Sequence, residues 1–199
     1  MMKIEPITLT GRVARLEPLR LEHAADLYAA LRDHPGLWRY MLTRQPRTLD
    51  EMQQLIAATL KKQEAGECLP FAIIDLERGC AVGETRYLNI VAHDHGLEIG
   101  STWLTPDVQR TGLNTECKYM LLSHAFETLG AIRVQLKTHH NNLQSQQAIE
   151  RLGAVKEGIL RNHMIMLDGS YRNSVYYSII VSEWPQVKAG LEAKMRRAS

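Results

Sequence analysis

Cysteine is scarce and offers no pairing. The 199-residue chain holds 3 cysteines, Cys68, Cys80 and Cys117. They are odd in number and far apart, with no Cys-x-x-Cys pair. This excludes a disulfide framework and a cysteine zinc site, and points to buried thiols in a reducing compartment. An excess of one charge is also missing: 24 Lys and Arg face 22 Asp and Glu, a net charge of +2. No field of that size recruits a nucleic acid or a membrane surface. No apolar run approaches the ~20 residues that cross a bilayer. The opening Met-Met-Lys-Ile-Glu-Pro lacks an apolar signal region, so a cytoplasmic protein is the expectation. Repeats, low-complexity tracts and Pro/Gly-rich linkers are absent too. A single domain over residues 1–199 is therefore expected. The composition, 45% hydrophobic and 23% charged, is that of a globular protein with a self-sufficient core.

The periodicities present describe a mixed α/β chain. Arg12 to Leu19 reads as a strand, and Leu21 to Leu31 as a helix with Ala24, Leu27, Tyr28 and Leu31 on one face. Trp38, Tyr40 and Pro46 lie in an irregular stretch that can wall a binding pocket. Thr48-Leu49-Asp50-Glu51 has the form of a capping box, and its helix should stop at Gly66. Phe71 to Leu76, Ala81 to Ile90 and Leu97 to Leu104 read as antiparallel strands. From there helix and strand alternate: a helix from Asn114 to Leu129, a strand from Ile132 to Thr138, a helix from Asn142 to Leu152. That order implies a locally parallel arrangement. His163 to Leu167 and Ser174 to Val181 form a hairpin across Asp168-Gly169, and a helix from Glu183 to Arg197 closes the chain.

The chemistry concentrates between Trp103 and Glu116. A strand ends at Pro106, and a helix begins after the loop Gln109-Arg110-Thr111-Gly112-Leu113-Asn114. A helix start presents unpaired N–H groups and a partial positive charge, a natural cradle for phosphate. Gly112 removes the Cβ that would obstruct a phosphate oxygen, and Arg110 can add a charge-assisted contact. The loop is neither a P-loop, lacking Gly-Lys-Ser/Thr, nor a Rossmann loop, having one glycine after antiparallel strands. His93-Asp94-His95 lies in a turn with no third ligand nearby, so no metal site is expected.

Gln109-x-x-Gly112-x-Asn114 resembles the pyrophosphate loop of the GNAT N-acetyltransferase superfamily. Asn142-Leu143-Gln144-Ser145, followed by Leu152-Gly153-Ala154, resembles that family's later Asn-x-x-Ser helix and its stop. Leu16-Glu17-Pro18-Leu19 with Glu22-His23-Ala24, and Asp168-Gly169 with Tyr176-Tyr177-Ser178, are similar to the RimJ/RimL branch, which acetylates protein N-termini. Asn114 stands where Gly or Ala is usual, and Ala154 where an aromatic is common. The resemblance implies a mixed, mostly antiparallel sheet of about seven strands, helices on both faces, and a splay between strands 4 and 5.

The same resemblance implies acetyl-CoA as cosubstrate, lying between Leu97–Leu104 and Ile132–Thr138. Trp103 and Leu104 would pair through their backbone with the pantetheine arm. The loop Gln109, Arg110, Thr111, Gly112, Leu113, Asn114 and Thr115 would hold the pyrophosphate, and Asn142 the arm. Ser145 would lie near the sulfur and donate to the leaving thiolate, with Tyr177 as the alternative. A strand-four N–H would serve the oxyanion. Glu98 or Glu84 would accept the amine proton, with His163 as a substitute. The acceptor is then a primary amine, either a protein N-terminus or a small molecule. Two other readings stay open: an acetyltransferase for antibiotic or xenobiotic amines, and a non-catalytic CoA-binding module. A homodimer is compatible with the sequence, which does not decide it.

Overall fold

Residues 2–197 are described by the computed structural model. Two-residue alternation and short polar turns produce a run of antiparallel strands first. They are β1 (Leu9–Thr10), β2 (Ala14–Pro18), β3 (Cys68–Asp75), β4 (Cys80–Val91) and β5 (Gly96–Leu104), with α1 (Ala24–Leu31) and α2 (Leu49–Glu64) inserted after β2. Helical periodicity then sets in. α3 (Leu113–Ser123), β6 (Arg133–His139), α4 (Leu143–Leu152), β7 (Val155–Ile165), β8 (Tyr171–Ile180) and α5 (Trp184–Arg197) complete the chain. All eight strands form one sheet in the order β1-β2-β3-β4-β5-β6-β8-β7. β5 and β6 run parallel, and the other neighbours are antiparallel.

The sheet has two apolar faces because its strands carry apolar residues on both sides. Leu27, Leu31, Met52 and Ile56 from α1 and α2 pack on Ala72, Ile74, Ala81 and Trp103. Phe71 and Ile73, on the opposite face, join Leu113, Cys117 and Leu121 of α3, Ile149 and Leu152 of α4, and Leu191 of α5. Thr48 Oγ1 caps α2 by accepting from Glu51 N at 3.1 Å. Glu51 reaches back to Arg47 N, at 2.7 Å, so the box closes one residue earlier than expected. Gly66 and Gly153 end α2 and α4 with φ of 73° and 98°, angles that favour glycine. α3 continues through a π turn, His124–Thr128. There Tyr87 Oη donates to the Leu121 carbonyl at 2.6 Å and so competes for the helix ladder.

Two departures from the expected pattern have physical reasons. The sheet has eight strands because Leu9–Thr10 adds a short edge strand, so the anticipated strands 4 and 5 are β5 and β6. β7 begins at Val155, not at His163, because it is an edge strand exposed over Val155–Asn162. An exposed strand shows no apolar alternation to read. Among the described residues, no helix is long and apolar enough to cross a membrane.

Candidate active site

The site begins where β5 and β6 part. They pair over only three positions, Gly96↔Arg133, Leu97↔Val134 and Glu98↔Gln135. Beyond Glu98 the two strands diverge. Ile99–Leu104 and Leu136–His139 keep their outer partners, β4 and β8, and leave their facing edges unpaired. Backbone groups left unpaired along such a slot need a ligand or water. β5 is also bulged here. Glu84 pairs with Trp103 and Arg86 with Gly100, so Ser101 and Thr102 together oppose Thr85, and Ser101 takes a φ of 49°.

The slot ends at the start of α3. Pro106–Val108 makes one 3-10 turn, and Thr111 Oγ1 accepts from Leu113 N at 3.2 Å. The N–H groups of Gly112, Asn114 and Thr115 have no partner among the described residues. Gly112 has φ −69° and ψ −15°, angles open to any residue. The left-handed position is Arg110 instead, at 63°. The backbone conformation at 112 therefore does not require glycine. Asn114 Oδ1 is buried without a hydrogen-bond partner. Gln109 joins the walls: its Nε2 donates to the Leu104 carbonyl at 2.8 Å, and its Oε1 accepts from Gln144 on α4 at 3.0 Å.

Asn142 and Ser145 stand at the start of α4. Asn142 caps the helix, its Oδ1 accepting from Ser145 N at 3.1 Å. Its side-chain oxygen is thus engaged, and its NH2 is the group open to a ligand. Both residues are half-buried, and Ser145 Oγ has no hydrogen-bond partner among the described residues. Tyr177 is fully buried, and its Oη donates to Glu150 at 3.0 Å. Burial first, and Glu150 second, push its phenol up to about 12. That proton is already committed.

Glu98 closes the inner end of the slot at 1% exposure. Its Oε2 accepts from Asn89 at 2.8 Å and Gln135 at 2.9 Å, and pairs with Lys137 at 3.0 Å. One carboxylate thus staples β4, β5 and β6 together where the strands part. Its Oε1 receives no hydrogen bond among the described residues. A Cβ on Gly100 would come within 2.8 Å of that oxygen, so the glycine keeps its approach open. Glu84 is buried and paired with Arg86. His163 lies between Ser174 Oγ at 3.0 Å and Tyr176 Oη at 3.2 Å, and burial followed by Lys137 and Arg172 lowers its pKa.

Trp103 turns its ring into the α1/α2 core, edge-on to Trp38 at 5.5 Å, so only its backbone can meet a ligand in the slot. Trp38 is therefore core. Tyr40, in contrast, crosses the open end: its Oη donates to the Asn141 carbonyl at 3.1 Å, and its ring lies 5.0 Å from His139.

Several site residues escaped sequence reasoning. Lys118 is buried on α3 with Nζ donating to Thr102 at 2.6 Å and Thr85 at 3.2 Å, directly under the bulge. Burial lowers its pKa to about 8. Glu116 accepts three backbone N–H groups, from Arg12, Val13 and Ala14, at 2.8, 2.8 and 2.9 Å, and so fixes α3 to β2. Arg172 and Lys137 line the β6–β8 face. The alternation Arg172-x-Ser174-x-Tyr176-x-Ser178 is the one signal that foreshadows a polar face there.

A splayed parallel pair ending at a bare helix start is the arrangement found across one enzyme family. A family model described as an acetyltransferase (GNAT) domain matches residues 14–155. The chain belongs to the GNAT acetyltransferase family. It is therefore an acyltransferase of mixed α/β fold. A GCN5-related N-acetyltransferase from Brucella melitensis is 31% identical, with a TM-score of 0.91 over 97% of this chain and 87% of that one. YdaF of Bacillus subtilis (strain 168), whose name assigns it provisionally to the ribosomal N-acetyltransferases, is 27% identical over 85% of this chain and 90% of its own. The fold is shared with RimJ of Mycobacterium smegmatis, solved with CoA-disulfide, at a TM-score of 0.80, 23% identity and 95% coverage of each chain.

Proposed function

We propose that residues 1–199 form one domain that transfers an acetyl group from acetyl-CoA to a primary amine, foremost a peptide N-terminus. The observation that carries the reading is the coincidence of the β5–β6 splay with the unpaired N–H groups of Gly112, Asn114 and Thr115. A slot with unpaired strand edges suits an amide-bearing arm, and a bare helix start suits a pyrophosphate. The N–H groups from Arg110 to Thr115 hold the phosphates, with the Leu113 N–H first exchanging its Thr111 partner. The backbone of Trp103 and Leu104, with the Asn142 amide NH2, aligns the arm. The bound molecule supplies an activated acyl thioester.

The chain's own residues then have three tasks. An N–H of the β5 bulge at Ser101–Thr102 donates to the developing oxyanion. Ser145 Oγ donates to the leaving sulfur; Tyr177 is the weaker candidate because its proton serves Glu150. Glu98 accepts a proton from the incoming ammonium through Oε1, directly or across one water. Glu84 is less suited, because Arg86 occupies it. An α-amine has a pKa near ~8, so a modest base suffices. The name of YdaF, which assigns it provisionally to the ribosomal N-acetyltransferases, supports a ribosomal acceptor.

The test is thiol release from acetyl-CoA in the presence of peptides, polyamines and aminoglycosides. Release that depends on a peptide α-amine is expected. Preference for aminoglycosides would move the assignment to xenobiotic amines. CoA binding without acceptor-dependent release would leave a non-catalytic CoA-binding module.

A further inference from the structure

Arg172 is a buried cation without a counter-ion. It lies on β8 at 7% exposure, and it forms no ion pair within 4.0 Å among the described residues. Of its five N–H donors, one goes from Nε to Ser174 Oγ at 3.0 Å, and one from Nη1 to the Tyr40 carbonyl at 3.4 Å. The remaining donors have no hydrogen-bond partner in the described protein. The carboxylate that acts on it electrostatically, Glu98, forms its hydrogen bonds and its ion pair with Asn89, Gln135 and Lys137 through Oε2 and makes no ion pair with Arg172. A guanidinium keeps its charge when buried, so its desolvation is only partly offset by Glu98 and two hydrogen bonds.

The surroundings reinforce the charge. His139, buried at the end of β6, is influenced by His140, Arg172 and Arg39, all basic, with no acidic group acting on it. His139 and His140 stack at 4.5 Å, and Arg39 lies over the Tyr40 ring at 5.4 Å. On the other side of β8, a cavity of about 890 Å³ is lined by Ile159, Leu160, Arg161, Asn162, His163 and Asn173, again without an acid. The same face of β5, β6 and β8 carries Glu98, Lys137, Tyr176 and Arg172 in sequence from the closed point of the splay towards its mouth. One acidic residue therefore stands at the reacting end and a set of bases at the other.

We propose that this outer end is an anion-reading subsite of the acceptor, in which the free donors of Arg172 take a carboxylate borne by the amine substrate. The inference rests on the N-acetyltransferase reading and gives it a substrate class: an amine whose neighbouring residues are acidic. The carboxylate has two sources, the side chain of an Asp or Glu following the reacting amine, or the terminal carboxylate of a very short acceptor. The planar fork of Arg172 matches either one bidentately.

Two pairs of acceptors separate these sources. One pair is a C-terminally amidated tetrapeptide with Asp or Asn at its second position. The other is a dipeptide with a free or an amidated C-terminus. In at least one pair the carboxylate member should show a roughly tenfold or greater advantage in kcat/KM, carried by KM. Arg172→Gln should reduce that advantage to about twofold, through a higher KM for the carboxylate member. Arg172→Lys should restore part of it. Equal kcat/KM within both pairs on the wild-type protein would overturn the inference, whatever the variants do. A second readout uses the N-acetylated forms of the same peptides, titrated into CoA-saturated protein. Tighter binding of the carboxylate form supports the subsite even if no acceptor is turned over, which would instead sink the transferase reading.

Discussion

The two ends of the β5–β6 splay are built from different materials. At the α3 end the recognising groups are backbone N–H donors, from Gly112, Asn114 and Thr115, and the unpaired edges of two strands. On the other side, from Glu98 at the closed point of the splay on β5, across Lys137 on β6 and Tyr176 on β8, to Arg172 near the mouth, they are side chains drawn from several strands, with His163 on β7 beside them. Backbone donors suit a ligand whose shape never changes, because they depend on chain path and tolerate most side chains. Side chains suit a partner that differs between relatives, since one substitution changes the charge presented. On the proposed reading, the cofactor end is generic to the fold, and the acceptor end is where this chain has its own specificity.

The largest expected effect should confine itself to the acceptor end. Glu98→Gln keeps the shape and the Asn89 contact but removes the proposed base. It should lower kcat by about 100-fold or more while CoA affinity stays within about twofold. Parallel loss of CoA affinity would mean that Glu98 acts as the staple of the three strands, and the separation of the two ends would fail.

A smaller effect sharpens the same contrast at Lys118, a buried charge on α3 beneath the β5 bulge. Its pKa falls from 10.5 to about 8 in the folded protein. Below pH 8 it is protonated in both folded and unfolded states, and the full burial penalty is present. Between about 8 and 10.5 the unfolded chain binds more protons, so stability rises with pH through that window. Lys118→Met should therefore stabilise the protein by on the order of 2 kcal/mol at pH 7, with the gain shrinking towards pH 10. Denaturant melts across that range check it. CoA affinity should change little; a large loss would show that the cofactor end also depends on a side-chain charge, acting through Thr102 and the bulge.

This division also explains what was legible in the residues. Gln109 and Gly112 before α3, and Asn142 and Ser145 at the start of α4, fall in an order and spacing that sequence preserves, and a hydrogen bond from Gln144 to Gln109 joins the two segments. The helix stops at Gly66 and Gly153 follow from local backbone chemistry. Arg172, Lys137 and His139 were illegible because a sheet of non-consecutive neighbours, β6 beside β8, brings them together. No spacing encodes that. Asn142 shows a milder limit: its position was readable, but its service as the cap of α4 appears only once Ser145 N is seen to donate to it. Trp38 and Tyr40 read alike as wall residues, yet one packs on Trp103 in the core and the other spans the cleft mouth. Lys118 and Glu116 look like solvent-facing helix residues until α3 is laid against the sheet.

The central claim is that coenzyme A sits in the splay with its pyrophosphate at the start of α3. Calorimetric titration of CoA into the wild-type protein and Gly112→Val tests it most directly. The backbone angles at residue 112 accept valine, so the variant should melt close to the wild type. The account predicts one CoA site in the wild-type protein, weakened roughly tenfold or more in Gly112→Val because the added side chain stands where phosphate oxygens approach. Equal affinity in the two proteins, or no CoA binding by the wild type, would contradict it.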